Sequence, residues 1–205
     1  MEQIINQITV RGELVDLPEF SHENHGRRFY RFYLDVPRLS GNHDRLPVII
    51  SEHLLAPLDP SAGQNICVTG QVRSHNVRNG ATRHLLIFIF ASEISADDEP
   101  ACNDVILEGP LCKEPIYRRT PLGREICDVM LAVPRTFRRA DYLPCIFWGR
   151  TAQELSACRI GETIRIVGRL QSRTYIKKTE QGAEERTAYE ISALSAEIID
   201  TAGDH

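Results

Sequence analysis

The sequence has little that would support a membrane protein or a metalloprotein. No apolar run approaches the roughly 18 residues of a membrane span. Residues 1–10 lack the basic start and apolar stretch of a secretory signal. The six cysteines form no CxxC pair and no close grouping with histidine of the kind that zinc requires. We therefore expect a cytoplasmic protein with no membrane association, no bound metal and buried free thiols.

Motifs of enzymes are missing as well. No glycine-rich phosphate loop opens a helix, and the sequence contains no nucleophile elbow and no zinc-protease pattern. Six of the seven histidines lie in the first half, but no carboxylate or cysteine spacing accompanies them. We expect no enzymatic activity, no catalytic residue and no cofactor.

The overall composition indicates a folded protein and gives no global argument for nucleic acid. Hydrophobic residues make up 42% and charged residues 25% of the 205, which is close to the globular average. The formal net charge is -4. Any electrostatic argument for a nucleic-acid partner must therefore be local.

The chain contains an internal repeat. A shift of 97 places NQITVRGELVDLPEF from Asn6 over NDVILEGPLCKEPIY from Asn103 without a gap. Residues 6–50 and 103–147 share 14 identities in 45 positions. The register then slips by one, so that Gly63 corresponds to Gly161. Two copies of one domain are therefore expected.

The second copy has the pattern of a small β-barrel. Period-two alternation predicts strands over 104–109, 125–134, 142–148, 163–175 and 187–199. Pro115 and the run 118–123 indicate a turn, and the length and composition of 151–157 indicate a helix of about two turns. Three strands, one short helix and two more strands are the order of a five-stranded OB fold. The first copy repeats it, so we predict an all-β chain of two tandem five-stranded OB-fold barrels, each with one short helix.

This interpretation divides the chain into four parts. The first OB fold spans residues 1–97 and the second spans 102–200. Residues 98–101 form a short linker, whose proline and like charges suit an exposed connector. Residues 201–205 form a short tail.

The second copy resembles the bacterial single-stranded DNA-binding protein family over about 100 residues. The resemblance lies in NDVILEGPLCKEP from Asn103, LAVPRTF from Leu131, PCIFWGRTA from Pro144, GRLQSRTY from Gly168 and YEI from Tyr189. It implies a protein that holds single-stranded DNA with little sequence preference during replication, recombination or repair.

The same resemblance implies four stacking aromatics, at Phe137, Tyr142, Trp148 and Tyr175. Their chemistry fits, because every base has a π-face that can stack on an aromatic ring. Strand parity places Leu143, Cys145 and Phe147 on one face of the third strand. The opposite face, with Tyr142, Pro144, Ile146 and Trp148, is the candidate binding surface.

Cations that could neutralise phosphates flank these aromatics. We place Arg118 and Arg119 in the first loop, Arg135, Arg138 and Arg139 in the loop before the third strand, and Arg150 beside Trp148. The long hairpin carries the remaining candidates, Arg169, Arg173, Lys177 and Lys178.

The two copies differ in charge and in aromatic content. Residues 1–100 carry 9 Lys and Arg against 13 Asp and Glu, whereas residues 101–200 carry 15 against 14. The first copy has Ser40, Arg45, Ser51 and Val77 at the four aromatic positions. We therefore expect the second barrel to be the main binding surface, with weaker contacts through Arg38, Arg73 and Arg78 or a structural role for the first.

Assembly and partners are expectations by analogy with the family. A homodimer would hold four OB folds, the number that many family members assemble, and a monomer in which the two barrels form a pseudo-dimer is the alternative. We expect the acidic recruiting tail of the family to be missing, because residues 200–205 follow the last predicted strand directly. The alternative function is a protein-interaction or primosomal adaptor with weak nucleic-acid binding. RNA rather than DNA also remains open as the ligand, since stacking does not distinguish the two.

Overall fold

The computed structural model of the protein describes residues 4–79, 82–179 and 182–199. The first half forms β1 Asn6–Leu14, β2 Glu19–Asn24, β3 Arg27–Pro37, β4 His43–Ser51, α1 Glu52–Leu55, β5 Asn65–Asn79 and β6 Thr82–Ala96. The second half forms β7 Cys102–Pro110, β8 Ile116–Arg119, β9 Glu125–Arg135, β10 Arg139–Trp148, α2 Gly149–Leu155, β11 Thr163–Thr179 and β12 Gly182–Ile199. A 3-10 turn, Thr136–Arg138, joins β9 to β10.

One continuous sheet runs through both halves. Its strand order is β2-β3-β4-β6-β5-β1-β7-β11-β12-β10-β9-β8, which is symmetric about the antiparallel β1–β7 pair. Ile8 lies opposite Val105 in that pair. The two copies therefore sit back to back, related by a pseudo-twofold axis between β1 and β7.

Each half closes into a barrel at an equivalent place. In the first, Leu14 of β1 pairs with Leu34 of β3. In the second, Leu111 bridges to Leu131, and both residues lie 97 positions beyond the first pair. Alternate strand residues fill the interior, so all four of these leucines are buried. The all-β, OB-type architecture predicted from the sequence is confirmed.

A glycine marks the bend in the long strand of each barrel. The β5–β6 register shifts between Thr69 and Gly70, and the β11–β12 register shifts between Val167 and Gly168. A Cβ atom at Gly168 would lie 2.5 Å from the carbonyl oxygen of Ser192, and one at Gly70 would collide with the corresponding oxygen of Phe90. Glycine is thus required for close backbone approach at both bulges.

Several element boundaries differ from the predicted ones. Part of the expected turn over 118–123 is strand β8, which pairs only with β9, so each barrel has one more short strand than expected. Helix α2 begins two residues earlier than predicted and ends two residues earlier. The β11–β12 ladder continues to the pair Thr179–Gly182, so the hairpin is longer than the alternation of side chains indicated.

The prediction of buried free thiols is confirmed for three cysteines and wrong in its burial for Cys67, Cys102 and Cys112, which are half-buried. All six cysteines are unpaired, and Cys127, Cys145 and Cys158 are buried. Within the described ranges, no group of three or more His, Cys, Asp or Glu side chains is placed to hold a metal ion. In the same part of the chain, no helix combines the length and apolar character needed to cross a membrane. The predicted tail, residues 201–205, lies outside the described residues.

Candidate nucleic-acid interface

The outer face of the second barrel follows the predicted strand parity. Leu143, Cys145 and Phe147 of β10 are buried in the barrel interior. Tyr142 and Trp148 lie on the other side of β10 and are 44% and 40% exposed. Their rings are therefore accessible from one side while their backbone is held in the sheet. Such half-exposed rings are suited to stacking with bases.

Ile146 corrects one detail of this face. It was expected beside Tyr142 and Trp148 as an accessible residue, but it is only 6% exposed. Ile146 pairs with Asp128 of β9 and with Ser192 of β12, so strands flank it on both sides. The accessible rings of Tyr142 and Trp148 are therefore separated along β10 by the buried side chain of Ile146.

Tyr175 and Phe137 lie at the edges of the same barrel. Tyr175 is on β11, 38% exposed, and the guanidinium of Arg173 lies 5.7 Å from its ring centroid. Phe137 is 92% exposed in the 3-10 turn between β9 and β10. It has φ of 62° and Arg138 has φ of 54°, a left-handed conformation that is uncommon for residues other than glycine. This turn presents the Phe137 ring to solvent, with little of the described protein surface covering it.

Five of the ten candidate cations form ion pairs within the described part of the chain. Arg118 and Arg119 lie on β8 rather than in a loop, and they pair with Asp128 at 2.8 Å and Glu125 at 2.9 Å. Cross-strand neighbours on β8 and β9 bring these opposite charges together. Two further pairs on the surface are Arg150–Glu154 at 2.8 Å and Arg173–Glu190 at 3.9 Å. All four arginines are at least half exposed, so water weakens these pairs and a phosphate can compete for the guanidinium.

Glu125 holds β8 against helix α2. It accepts hydrogen bonds from Arg119 at 2.9 Å and from Gln153 at 2.5 Å. Hydrogen bonds from Arg119, Gln153 and Tyr117 lower the pKa of Glu125 to about 2. The carboxylate therefore stays charged at neutral pH and fixes the direction of Arg119.

Arg135 has a structural partner that the sequence did not reveal. It lies 3.4 Å from the carboxylate of Asp141, which is fully buried. Arg73 of the first barrel approaches the same carboxylate at 3.5 Å. Arg135 is thus at the junction of the two barrels rather than in the loop where it was expected.

The remaining candidates differ in their surroundings. Arg138 and Arg139 are exposed, and no ion pair is found for either within the described residues. Arg169 is half-buried on β11, opposite Ser192, and its Nε atom has no hydrogen-bond partner among those residues. Lys177 is exposed on β11, whereas the side chain of Lys178 lies outside the described part of the structure.

The arginines expected to give weaker contacts in the first barrel fall into two groups. The Arg38 guanidinium donates hydrogen bonds to the buried carboxylate of Asp44 and to the carbonyl oxygen of Ser172, each at 2.7 Å. Arg73 is similarly occupied at the junction, and burial together with the nearby Arg135 lowers its pKa. Arg78, in contrast, is exposed on β5.

One set of aromatic side chains was missed by the sequence reasoning. His22 stacks on Phe29 with centroids 4.9 Å apart, and Phe29 lies 5.8 Å from Phe90. The guanidinium of Arg73 is 5.7 Å from the centroid of Phe90, and that of Arg45 is 4.9 Å from Tyr33. These rings occupy positions other than the four compared above. The available signal was the aromatic content of RRFYRFY, from Arg27 to Tyr33, and of IFIF, from Ile87 to Phe90.

The continuous sheet, the two closed barrels and the accessible aromatic face define a tandem OB-fold protein. Residues 102–199, which form the second barrel, match the sequence model of the Single-strand binding protein family. Single-stranded DNA-binding protein B of Bacillus subtilis (strain 168) is 37% identical over 87 residues, which are 39% of this chain and 75% of that protein. The chain therefore belongs to the single-strand binding protein family.

Further relatives support this assignment, and a solved structure is similar in fold. The single-stranded DNA-binding protein of Oceanobacillus iheyensis is 32% identical over 110 residues, 49% of this chain and 65% of that protein. Single-stranded DNA-binding protein A of B. subtilis is 34% identical over 105 residues, 48% of this chain and 59% of that protein. The wild-type single-stranded DNA binding protein from Thermus aquaticus has a TM-score of 0.79 at 22% identity, covering 98% of this chain and 96% of its own. The similarity in fold thus includes the first barrel.

Proposed function

We propose that this protein binds single-stranded DNA with little sequence preference and protects it during replication, recombination or repair. The observation that carries this proposal is the outer face of the second barrel, where Tyr142 and Trp148 are accessible on one side of β10. Family membership and the names of the relatives support the choice of single-stranded DNA as ligand. The cytoplasmic location expected from the sequence is part of the same proposal.

Binding would combine stacking with phosphate neutralisation. Bases stack on Tyr142, Trp148 and Tyr175, each platform contributing about 1–3 kcal/mol. The exposed guanidiniums of Arg118 and Arg150 exchange their carboxylate partners for phosphates, at low cost because surface ion pairs are worth about 0–1 kcal/mol. Because no hydrogen bond to a base edge is required, the order of bases has little influence.

Fluorescence anisotropy with labelled oligonucleotides tests the function. The protein is titrated into oligo-dT and into a duplex of equal length, at several salt concentrations. We expect tight binding to the single strand, weaker binding to the duplex, and a log-log salt slope of about -0.7 per phosphate contacted. Equal affinity for both, or no binding at low salt, contradicts the proposal.

A homodimer with four barrels is the assembly that we propose. Its support is an apolar area on the central sheet, on the side away from the barrel interiors. Ile106 of β7 and Val167 of β11 are register partners there, and each is 41% exposed. Single apolar residues are common on surfaces, but adjacent ones on a sheet face suit an isologous contact. Light scattering should give the mass of two chains for the wild type and of one chain for an Ile106→Lys variant. A wild-type mass of one chain contradicts the assembly.

The protein-docking alternative has one observation in its favour. Arg118, Arg119, Arg150 and Arg173 all pair with carboxylates of the second barrel. An adaptor barrel would have no need to leave these cations free for phosphates. The anisotropy titration distinguishes the two functions, because an adaptor would bind oligo-dT weakly at physiological salt.

A further inference from the structure

A groove runs between the outer face of the first barrel and the β11–β12 hairpin of the second. Its volume is about 1540 Å³. Tyr33, Phe88 and Phe90 line it from the first barrel, and Tyr175 and Tyr189 line it from the second. An opening of this size, with rings on both sides, has room for an extended chain of bases.

The groove is strongly cationic, unlike the first half of the chain as a whole. Among the described residues, six cations line it against one carboxylate, that of Glu184, which pairs with Arg186 at 2.8 Å. The six are Arg31, Arg73, Arg135, Arg139, Lys177 and Arg186. A groove with one sign of charge concentrates a ligand of the opposite sign. Together with the aromatic rings, this charge favours a polyanion with flat bases over a polypeptide.

The aromatic residues that line the groove from the first barrel occupy positions where the second barrel has none. Equivalent positions follow from the strand registers. Phe29 pairs with Ser51 and Ile126 pairs with Trp148, so Phe29 corresponds to Ile126. Ile49 pairs with Phe90 and Ile146 pairs with Ser192, so Phe90 corresponds to Ser192. By the same registers Tyr33 corresponds to Met130 and Phe88 to Glu190. The groove-lining rings of the first barrel thus lie on β3 and β6. The proposed platforms of the second barrel lie on β10, on β11 and in the 3-10 turn that holds Phe137.

The charges change in the same direction. Arg31 stands where the second barrel has Asp128, and Arg73 stands where it has Gln171. Arg31 has one carboxylate nearby, Glu19 at 3.6 Å, and both side chains are more than half exposed. Replacement of an acid and an amide by two arginines makes this face more favourable for phosphate than its counterpart.

Arg73 and Arg135 supply unbalanced positive charge at the inner end of the groove. Both guanidiniums share the one carboxylate of Asp141, at 3.5 Å and 3.4 Å. The Nε atom of Arg73 is buried with no hydrogen-bond partner among the described residues. The side chains of Arg73 and Arg135 are 16% and 31% exposed, so a phosphate at the accessible part of either guanidinium would balance the second positive charge.

The groove is also continuous with the proposed binding face of the second barrel. Pro144 lies on that face between Tyr142 and Ile146 and also lines the groove. Tyr175, one of the proposed platforms, lines it as well. A strand lying across Tyr142 therefore enters the groove without leaving the protein surface.

We propose that the first barrel binds a second stretch of the same single strand in this groove, with Tyr33, Phe88 and Phe90 as stacking rings and Arg31 and Arg73 as phosphate partners. This inference rests on the proposed function, because it extends the same ligand from one barrel to the other. It assigns the first barrel its own binding surface rather than the reduced role expected from the sequence.

Substitution towards the residues of the second barrel provides a selective test. The double variant Arg31→Asp, Phe88→Glu introduces the side chains found at 128 and 190, which the same barrel positions already accommodate. We expect affinity for long oligo-dT to fall about 5- to 150-fold, the equivalent of one lost platform. The number of nucleotides occluded per chain should fall as well. Arg159→Asp, an exposed charge reversal after α2, is the matched control and should leave both quantities unchanged.

A second readout does not depend on loss of binding. In a Trp148→Phe background, Tyr33→Trp places the one tryptophan of the chain in the groove. Saturable quenching of this reporter by oligo-dT supports the inference. An unquenched reporter in the groove, with Trp148 of the unmodified protein quenched normally, overturns the groove and leaves the proposed function intact. An unquenched Trp148 in the unmodified protein, together with no affinity for oligo-dT at low salt, overturns the proposed function itself.

Discussion

The buried carboxylate of Asp141 accepts a hydrogen bond from the backbone amide of Ser74, 2.7 Å away in the other barrel. The pseudo-twofold axis repeats the contact, since Asp44 accepts from the amide of Ser172 at 2.6 Å. Both carboxylates are at most 1% exposed. The two barrels are thus joined by two reciprocal polar contacts in addition to the β1–β7 ladder. The contacts hold each long hairpin against the neighbouring barrel.

The two junctions differ in their arginines, and this leads to a stability prediction. Asp141 balances Arg73 and Arg135, whereas Asp44 balances Arg38 alone. Asp141→Asn would leave two guanidiniums without a carboxylate, and removal of one partner from a buried pair costs about 3–5 kcal/mol. We expect urea unfolding to show a loss of about 3 kcal/mol for Asp141→Asn, because its arginines are partly solvated. Asp44→Asn should lose less, and an equal or larger loss there would contradict this explanation.

Glu125 should contribute to acid stability. Its pKa is lowered to about 2 by Arg119, Gln153 and Tyr117, so its contribution is present above the ordinary glutamate pKa of 4.5. The contribution is lost as the pH falls from about 4.5 towards about 2. We expect the difference in unfolding free energy between wild type and Glu125→Gln to shrink across that interval. The control is Glu154→Gln, which removes an exposed partner of Arg150; the same pH dependence there would refute a special role for Glu125.

The cysteines should react slowly in the native protein. Burial raises the pKa of Cys145 far above its usual range and that of Cys158 to about 11. Less thiolate is then present at neutral pH than for a free cysteine. Labelling with a thiol reagent should be slow at about pH 8, faster at about pH 10, and complete only after unfolding. Rapid labelling of Cys145 in the native state, or a disulfide found by mass spectrometry, would be inconsistent with the buried thiols.

Phe137 should contribute to binding but not to stability. Its ring is 92% exposed and is not part of the buried core, so Phe137→Ala removes little packing. We expect an unchanged melting temperature. The free energy of binding to oligo-dT should weaken by about 1–3 kcal/mol, which is the contribution of one base stacked on one aromatic ring. Phe147→Ala is the contrasting variant, because Phe147 is buried in the barrel and its loss should destabilise the fold by about 3–5 kcal/mol. Unchanged affinity for Phe137→Ala would remove this residue from the site.

The sequence was sufficient for features that depend on local pattern. The repeat and the alternation of β10 correctly predicted two OB barrels and the burial of Leu143, Cys145 and Phe147. The contacts at the barrel junction were not predictable, because they join residues as far apart as Asp44 and Ser172. The strand β8 was missed because four residues are too few for a clear alternation.

The groove of the first barrel was missed for a different reason. Comparison at four fixed positions found Ser40, Arg45, Ser51 and Val77, none of them aromatic. The rings of that barrel lie on other strands, and only the registers of β3 with β4 and of β4 with β6 bring them onto one face. A comparison of positions cannot detect a surface whose residues have moved to neighbouring strands.

The most direct test of the central claim uses Trp148, the single tryptophan of the chain. Its fluorescence is followed while oligo-dT is added to the unmodified protein, at several salt concentrations. This account predicts strong saturable quenching. A plot of the logarithm of the affinity against the logarithm of the salt concentration should have a slope of about -0.7 per phosphate contacted. No quenching and no affinity at low salt would contradict it and would identify the exposed aromatic face as a protein-docking surface.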